Sequence, residues 1–295
     1  MGLTVASSAP SDFDHPMTTS PARNARSRFA EIVSADERVN LAEAALVIAA
    51  EEYPRLDVEA YLEKLDLFGD IARNQAANAR DAMDFISAIN TTLFERLSFR
   101  GNRDAYYDPR NSFLNEVIDR RTGIPITLTV IYIEVARRIG FAVKGVGLPF
   151  HFIAKHEAET GDIYIDPFNE GRVLGRNACA ELVANVSADR VELRNEHLTA
   201  VGNKQILTRM LSNLVGIYST TDRRRALAAI ERVLLINPGS TSHIRDRGLL
   251  LASVGDSATA IIELEKYLTL APQAADCDVI RGQIKSIRQN QAKLN

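Results

Sequence analysis

The chain has only two cysteines, Cys179 and Cys277, in 295 residues. That excludes a disulfide framework and a cysteine-built zinc site. It fits a reducing compartment, so the expected location is cytoplasmic. Long hydrophobic runs are missing as well. The longest apolar stretches, such as Ala44–Ala50, fall well short of the ~18–20 residues a membrane span requires. Basic residues are not in excess, since 35 Lys+Arg against 38 Asp+Glu give a formal charge of −3. A nucleic-acid partner would call for the opposite balance, and none is expected. The first 22 residues are rich in Ser, Thr, Ala and Pro and lack the basic and apolar regions of a secretory leader. The start also misses the Ser/Thr of a myristoylation motif. Residues 1–26 read as a disordered tail, or as an over-long gene start with Met17 as the true one.

What remains is 46% hydrophobic and 25% charged, an ordinary composition for a globular protein of two domains. Helical periodicity starts near Phe29. Asn40 and Asp57 are placed to cap helices over Val39–Glu52 and Val58–Leu67, the second with Tyr61, Leu62, Leu65 and Leu67 as its apolar side. A third helix, about Asp81–Leu97, would bury Met83, Phe85, Ile86, Ile89, Leu93, Phe94 and Leu97. After a polar loop and the break at Thr122-Gly123-Ile124-Pro125, Ile126–Ile139 is apolar on nearly every side in its first half. That is the mark of a helix buried in a core. The period then switches to strands over Phe141–Val146, Leu148–Lys155 and Asp162–Asp166, with a turn in His156–Gly161. Helices followed by adjacent antiparallel strands predict an α+β domain rather than a βαβ unit.

From about Asn203 the chain is helical and repeats itself. At an offset of 34 residues Asp222 meets Asp256, Ala226 meets Ala260, Leu234 meets Leu268 and Pro238 meets Pro272. This is the tetratricopeptide period. It predicts two repeats, about 207–240 and 241–274, and a capping helix beyond them. Gly248, Ala260 and Pro272 fall at the small–small–Pro positions of the second copy. Leu214 occupies the packing-glycine position of the first.

Two polar positions in the strand region carry the candidate chemistry. His151 lies in Leu-Pro-Phe-His-Phe-Ile and Asp166 in Tyr-Ile-Asp-Pro-Phe-Asn. With the turn centred on Ala158–Glu159, Lys155 pairs with Asp162 and His151 falls opposite Asp166. Their Cβ atoms would then be ~5 Å apart on one face. An imidazole held by a carboxylate is the base–orienter half of a catalytic triad. A His–Asp pair that only ties two strands together is the structural alternative. His156, five residues along, faces the other side, so no two-histidine metal site is expected. His15, His197 and His243 read as surface residues.

The run Asn111-Ser-Phe-Leu-Asn-Glu-Val-Ile-Asp-Arg-Arg-Thr-Gly-Ile-Pro-Ile-Thr-Leu carries a family resemblance. So do Ile131-Tyr-Ile-Glu-Val-Ala-Arg-Arg-Ile-Gly-Phe, Gly145-Val-Gly-Leu-Pro-Phe-His-Phe and Ile165-Asp-Pro-Phe-Asn-Glu-Gly-Arg. Together they resemble the bacterial SirB family of transglutaminase-like proteins with C-terminal tetratricopeptide repeats, over about residues 28–292. The resemblance implies an N-terminal helical region (27–98), a papain/transglutaminase-like α+β core (99–200) and an all-α repeat array (203–292). Phe150 departs from the family, which usually has glycine before the histidine. In active relatives a cysteine starts the buried helix, and a histidine and an aspartate follow on adjacent strands. His151 and Asp166 match the latter two. The cysteine position falls at Pro125–Thr127, where there is no thiol, and Cys179 reads as a small core residue.

Thr127, or Thr129, is the hydroxyl that could stand in for the thiol. Helix-start bonding to backbone is the other role for Thr127. In the matching motif Asn115 could donate to an oxyanion, Arg120 or Arg121 could clamp a carboxylate, and Asn169 is a further ligand contact. A polar network fixing the loop before the buried helix is the alternative for all of them. The chain therefore reads as a non-catalytic or catalytically altered regulatory protein that recruits a protein or peptide partner through its repeats. The competing reading is a hydrolase or acyl transferase using His151, Asp166 and a hydroxyl or water. No cofactor or metal is expected, and the oligomeric state stays open.

Overall fold

In the computed structural model, which describes residues 21–35 and 39–294, the chain begins with helix α1 (Pro21–Ser34). Residues 21–26 are thus helical, where the sequence reading placed a tail. Proline is favoured in a first helical turn, and Ala25, Phe29 and Val33 recur every fourth residue and are buried. The rest of that expected tail, with His15 and Met17, lies outside the described residues. Helix α2 (Leu41–Glu52) is capped by Asn40, which accepts from the Glu43 amide. Helix α3 (Val58–Gln75) is capped by Asp57, which accepts from the Ala60 amide. Helix α4 (Ala82–Asn90) follows, capped by Asp81, and Thr91–Arg96 continues it as a π-helical turn. Leu67 and Met83 were assigned to buried faces but are 57% and 49% exposed. They lie off the stripes Leu65–Phe68–Ala72 and Ile86–Ile89–Leu93 that enter the core.

A short parallel pair, β1 (Arg100–Gly101) and β2 (Thr122–Gly123), brackets helix α5 (Leu114–Arg120). Helix α6 (Pro125–Arg138) comes next, and every residue from Pro125 to Ala136 is buried. It packs on α2 and α3 on one side and on the sheet on the other. Each fully buried Val, Leu or Ile is worth about 1.5–3 kcal/mol, so this helix anchors the fold.

The sheet has five antiparallel strands: β3 (Lys144–Val146), β4 (Ile153–Ala158), β5 (Gly161–Asp166), β6 (Arg172–Leu174) and β7 (Ala200–Val201). Their order is β6-β5-β4-β3-β7. Ala158 pairs with Gly161 and Lys155 with Tyr164. The hairpin turn is therefore Glu159–Thr160, one position beyond the expected centre, and the pairing slides by two. Residues 148–151 form a turn instead of strand, closed by a 3.2 Å hydrogen bond from the His151 amide to the Leu148 carbonyl. Phe141 starts no strand either. Its ring stacks on Phe85 and on His156, and His156 Nδ1 lies 2.8 Å from the Ala142 carbonyl, away from His151.

Helix α7 (Arg176–Ser187) covers the sheet and buries Cys179. Helices α8 (Asn203–Thr221) and α9 (Arg223–Ile236) form one hairpin, and α10 (Thr241–Ser253) and α11 (Ser257–Leu270) a second. Helix α12 (Cys277–Leu294) packs on the second hairpin. The 34-residue offset has a physical basis in the caps. Asp222 accepts from the Arg224 and Arg225 amides and Asp256 from the Thr259 amide. Gly248 lets α10 approach α11, since a Cβ there would meet Leu264 at 2.8 Å.

One hydrophobic core runs from Ala25 in α1 through α6 to Leu214 of α8 and Val233 of α9. Ion pairs Arg26–Glu231, Arg225–Glu52 and Arg232–Glu51 cross the same junction. The first repeat hairpin is thereby built into the α+β body.

Candidate functional site

The start of α6, the turn before β4 and the end of β5 converge on a cleft of about 1020 Å³. Ile124, Pro125 and Ile126 come from the helix start, Phe150, His151 and Phe152 from the turn, and Phe168, Asn169 and Arg172 from the segment after β5.

His151 Nε2 lies 3.0 Å from Asp166 Oδ1, and the two residues are 5% and 1% exposed. The register alone would not bring them together, because Asp166 closes β5 beyond the last Ala154–Ile165 pair and His151 precedes β4. The turn does it. Phe150 takes a left-handed conformation, φ 58°, which folds the chain back and aims the next side chain at the end of β5. Glycine adopts that conformation most readily, so the phenylalanine holds this turn at a conformational cost. The Phe150 side chain is 57% exposed and does not fill the cleft.

Arg209 of α8 locks the turn. Its guanidinium donates to the carbonyls of Leu148 (2.9 Å) and His151 (3.0 Å) and lies over the Phe152 ring. Gly147 gives it room. Nothing in the local sequence around Arg209 marks this role, because its partners lie some 60 residues earlier in the chain.

Asp166 accepts three hydrogen bonds: His151 at 3.0 Å, the Phe168 amide at 3.1 Å and Asn169 Nδ2 at 2.6 Å. Burial pushes its carboxyl upward, but the bonds from His151 and Asn169 prevail and hold it below the ordinary aspartate range. With Nε2 donating to a carboxylate, Nδ1 is left as the acceptor of the neutral ring.

The other sequence candidates divide. Asn169 lines the cleft, bonds Asp166 and accepts from Arg103. Thr127 does not line it. Its fully buried hydroxyl donates to the Asn111 carbonyl at 2.9 Å and accepts from the Ile124 amide at 3.2 Å. The geometry thus removes Thr127 from reach of a ligand, because helix-start bonding consumes its oxygen. Thr129 is also fully buried, its hydroxyl 3.4 Å from the Phe152 carbonyl. Asn115 is 4% exposed and lies outside the cleft. Arg120 faces a separate depression with Arg100 and Thr122 and lies 3.8 Å from Asp108. Arg121 lies over the rings of Phe68 and Phe99, at 4.6 and 4.8 Å. None of these three lines the cleft.

Neither thiol replaces the missing nucleophile. Cys179 is fully buried, and burial together with the Asp166 charge pushes its thiol up to about 11. Cys277 is 6% exposed in the last helix, with its sulfur 3.2 Å from the Ala271 carbonyl. Both should resist alkylation in the folded protein, because the thiolate is the reacting species and access is closed. Incubation with iodoacetamide at pH 7.5 is expected to leave the native mass unchanged and to add two labels after denaturation. Rapid native labelling of Cys179 would refute its assignment as inert. Among the described residues no group of three His, Cys, Asp or Glu could hold a metal ion, and no helix is long and apolar enough to cross a membrane.

A model of the transglutaminase-like superfamily matches residues 59–212, and a tetratricopeptide-repeat model matches residues 217–285. A UPF0162 protein of Xylella fastidiosa is 37% identical over 255 residues, 84% of this chain and 90% of that protein. Protein SirB1 of Salmonella typhimurium is 24% identical over 253 residues, 84% of this chain and 94% of that one. F-box only protein 21 of Homo sapiens is 34% identical over 145 residues, which are 45% of this chain and 21% of that protein.

Proposed function

We infer a binding function for this chain, which belongs to the transglutaminase-like superfamily and, with its tetratricopeptide repeats, to the SirB-like family within it. The cleft holds a ligand and does not transform it. The observation that carries this reading is the start of α6. There His151 meets Pro125 and Ile126 in the cleft, while Thr127, the hydroxyl of that helix start, is bonded to backbone and enclosed. A base with its orienter but without a nucleophile lacks the group that forms the covalent intermediate. The His151–Asp166 pair then fixes the wall of the cleft and offers a polar contact to whatever sits there.

The repeats supply the second half of the reading. Stacked helical hairpins present extended surfaces to protein partners. Here the first of them also sends Arg209 into the cleft, so ligand and partner sites share one rigid body. The two unpaired thiols suit a reducing cytosol.

Hydrolysis by water activated at His151 is the competing reading, and turnover separates the two. Wild type and His151→Ala are compared on a panel of ester, amide and glutamine substrates. Both are expected to match buffer. Turnover by the wild type that disappears in His151→Ala would overturn the binding reading. General-base assistance is typically worth 10²–10⁴-fold, so the difference would be plain.

A further inference from the structure

We propose that the cleft recognises the free carboxylate end of a peptide whose last side chain is apolar or aromatic. The inference rests on the binding reading and names its ligand.

The first observation is the charge of the cleft. Arg103, Arg172 and Arg209 line it, and no Asp or Glu is among its lining residues. Asp166 lies beneath the surface with its oxygens occupied by His151, Asn169 and the Phe168 amide. Three guanidiniums around one cavity repel one another unless an anion joins them, and an arginine fork matches the two oxygens of a carboxylate.

The second observation is what these arginines leave unused. Arg209 spends one terminal nitrogen on the turn carbonyls, and burial pulls its guanidinium below the usual arginine range. Arg103 lies over the Phe168 ring and donates to Asn169. Arg172, opposite Asp166 on β6, has no ion pair or hydrogen bond to a side chain among the described residues. Donors therefore remain on a residue that lines the cavity.

The third observation is the apolar remainder. Phe150, Phe152, Phe168, Ile126, Leu182 and Val186 supply the walls. The Asn213 amide, from the same α8 face as Arg209, adds a donor and an acceptor of the kind that pairs with a peptide group. The volume is at the upper end for small-molecule sites, which leaves room for several residues rather than a lone anion.

The test uses the full chain and a defined probe, fluorescein-Gly-Ala-Phe, as the free acid and as the C-terminal amide, read by fluorescence anisotropy. The acid is expected to bind about tenfold more tightly than the amide. In Arg172→Gln that preference should fall to within twofold, because the acid loses more affinity than the amide does. Arg172 is exposed on a short strand, so folding should survive. The acid-to-amide comparison on the wild type stands without the variant. Equal binding of acid and amide, no binding of the acid up to about 1 mM, or a preference retained in Arg172→Gln would each overturn the proposal. Phenyl phosphate competing better than 3-phenylpropionate would also overturn it, in favour of a phosphate ligand. Cleavage of the probe would instead sink the binding reading, and the preference for the acid would still report on the cleft.

Discussion

Asp166→Ala is expected to lower the free energy of unfolding by about 3–5 kcal/mol, the summed cost of the buried donors it leaves without an acceptor. The carboxylate is 1% exposed and accepts from three donors on two segments. Its loss leaves the His151 ring, the Asn169 amide and the Phe168 N–H unpaired in a site that excludes water from below. Each orphaned group adds a desolvation penalty of about 1–3 kcal/mol, reduced where the segment can relax toward the cleft. Urea denaturation reads the loss as a shift in midpoint at nearly constant slope. Asp166→Asn should cost less, because one carbonyl oxygen still accepts. A loss below about 1 kcal/mol for the alanine variant would mean that the pair holds nothing together.

The same group sets a pH dependence with a definite sign. Its carboxyl is lowered in the folded state, so the folded protein binds this proton less readily than the unfolded chain. The stabilisation is therefore complete above the unfolded aspartate value near 3.9 and is lost as pH falls through the lower folded value. The wild type should lose this contribution below about pH 4, and Asp166→Asn should not.

Gly171→Ala is expected to cost about 2–3 kcal/mol for two additive reasons. The glycine has φ 72°, a left-handed conformation that costs an L-residue about 1–2 kcal/mol. A Cβ there would also lie 2.0 Å from Asn90 Oδ1, and the Asn90 amide donates to the Gly171 carbonyl at 2.9 Å. Moving Asn90 away breaks that bond, worth about 1 kcal/mol. The Gly171 amide in turn donates to the Asp166 carbonyl, so strain is passed to the end of β5. Thermal and urea unfolding measure the cost, and a neutral outcome would show that the turn is free to relax.

The elements that were legible in the sequence are those set by local pattern. Asn40 and Asp57 cap their helices because a short side-chain oxygen before an apolar stripe satisfies free amides wherever the helix is later placed. The all-round apolar run of α6 needed burial and is buried. The 34-residue offset appears as two hairpins because the Asp222 and Asp256 caps and the buried Ala226 and Ala260 recur once in each. Register was not legible. Polar residues on both sides of the turn fit either centre, and the slide by two was decided by the sheet that β4 and β5 share with β3 and β6.

The candidate site divides along the same line. His151 and Asp166 stand out by residue type in apolar segments, and so does the missing thiol at Pro125–Thr127, since both are matters of identity in a short segment. Only the tertiary structure decided that His151 reaches Asp166 through a left-handed Phe150. It alone enclosed the Thr127 hydroxyl and brought Arg209, from the first repeat helix, to join Arg103 and Arg172 around the cleft. The physical reason is range. Helix caps and apolar periodicity act over a few residues and are written where they act. A cleft wall is assembled from segments a hundred residues apart, and its arginines carry no periodic signal until the fold gathers them.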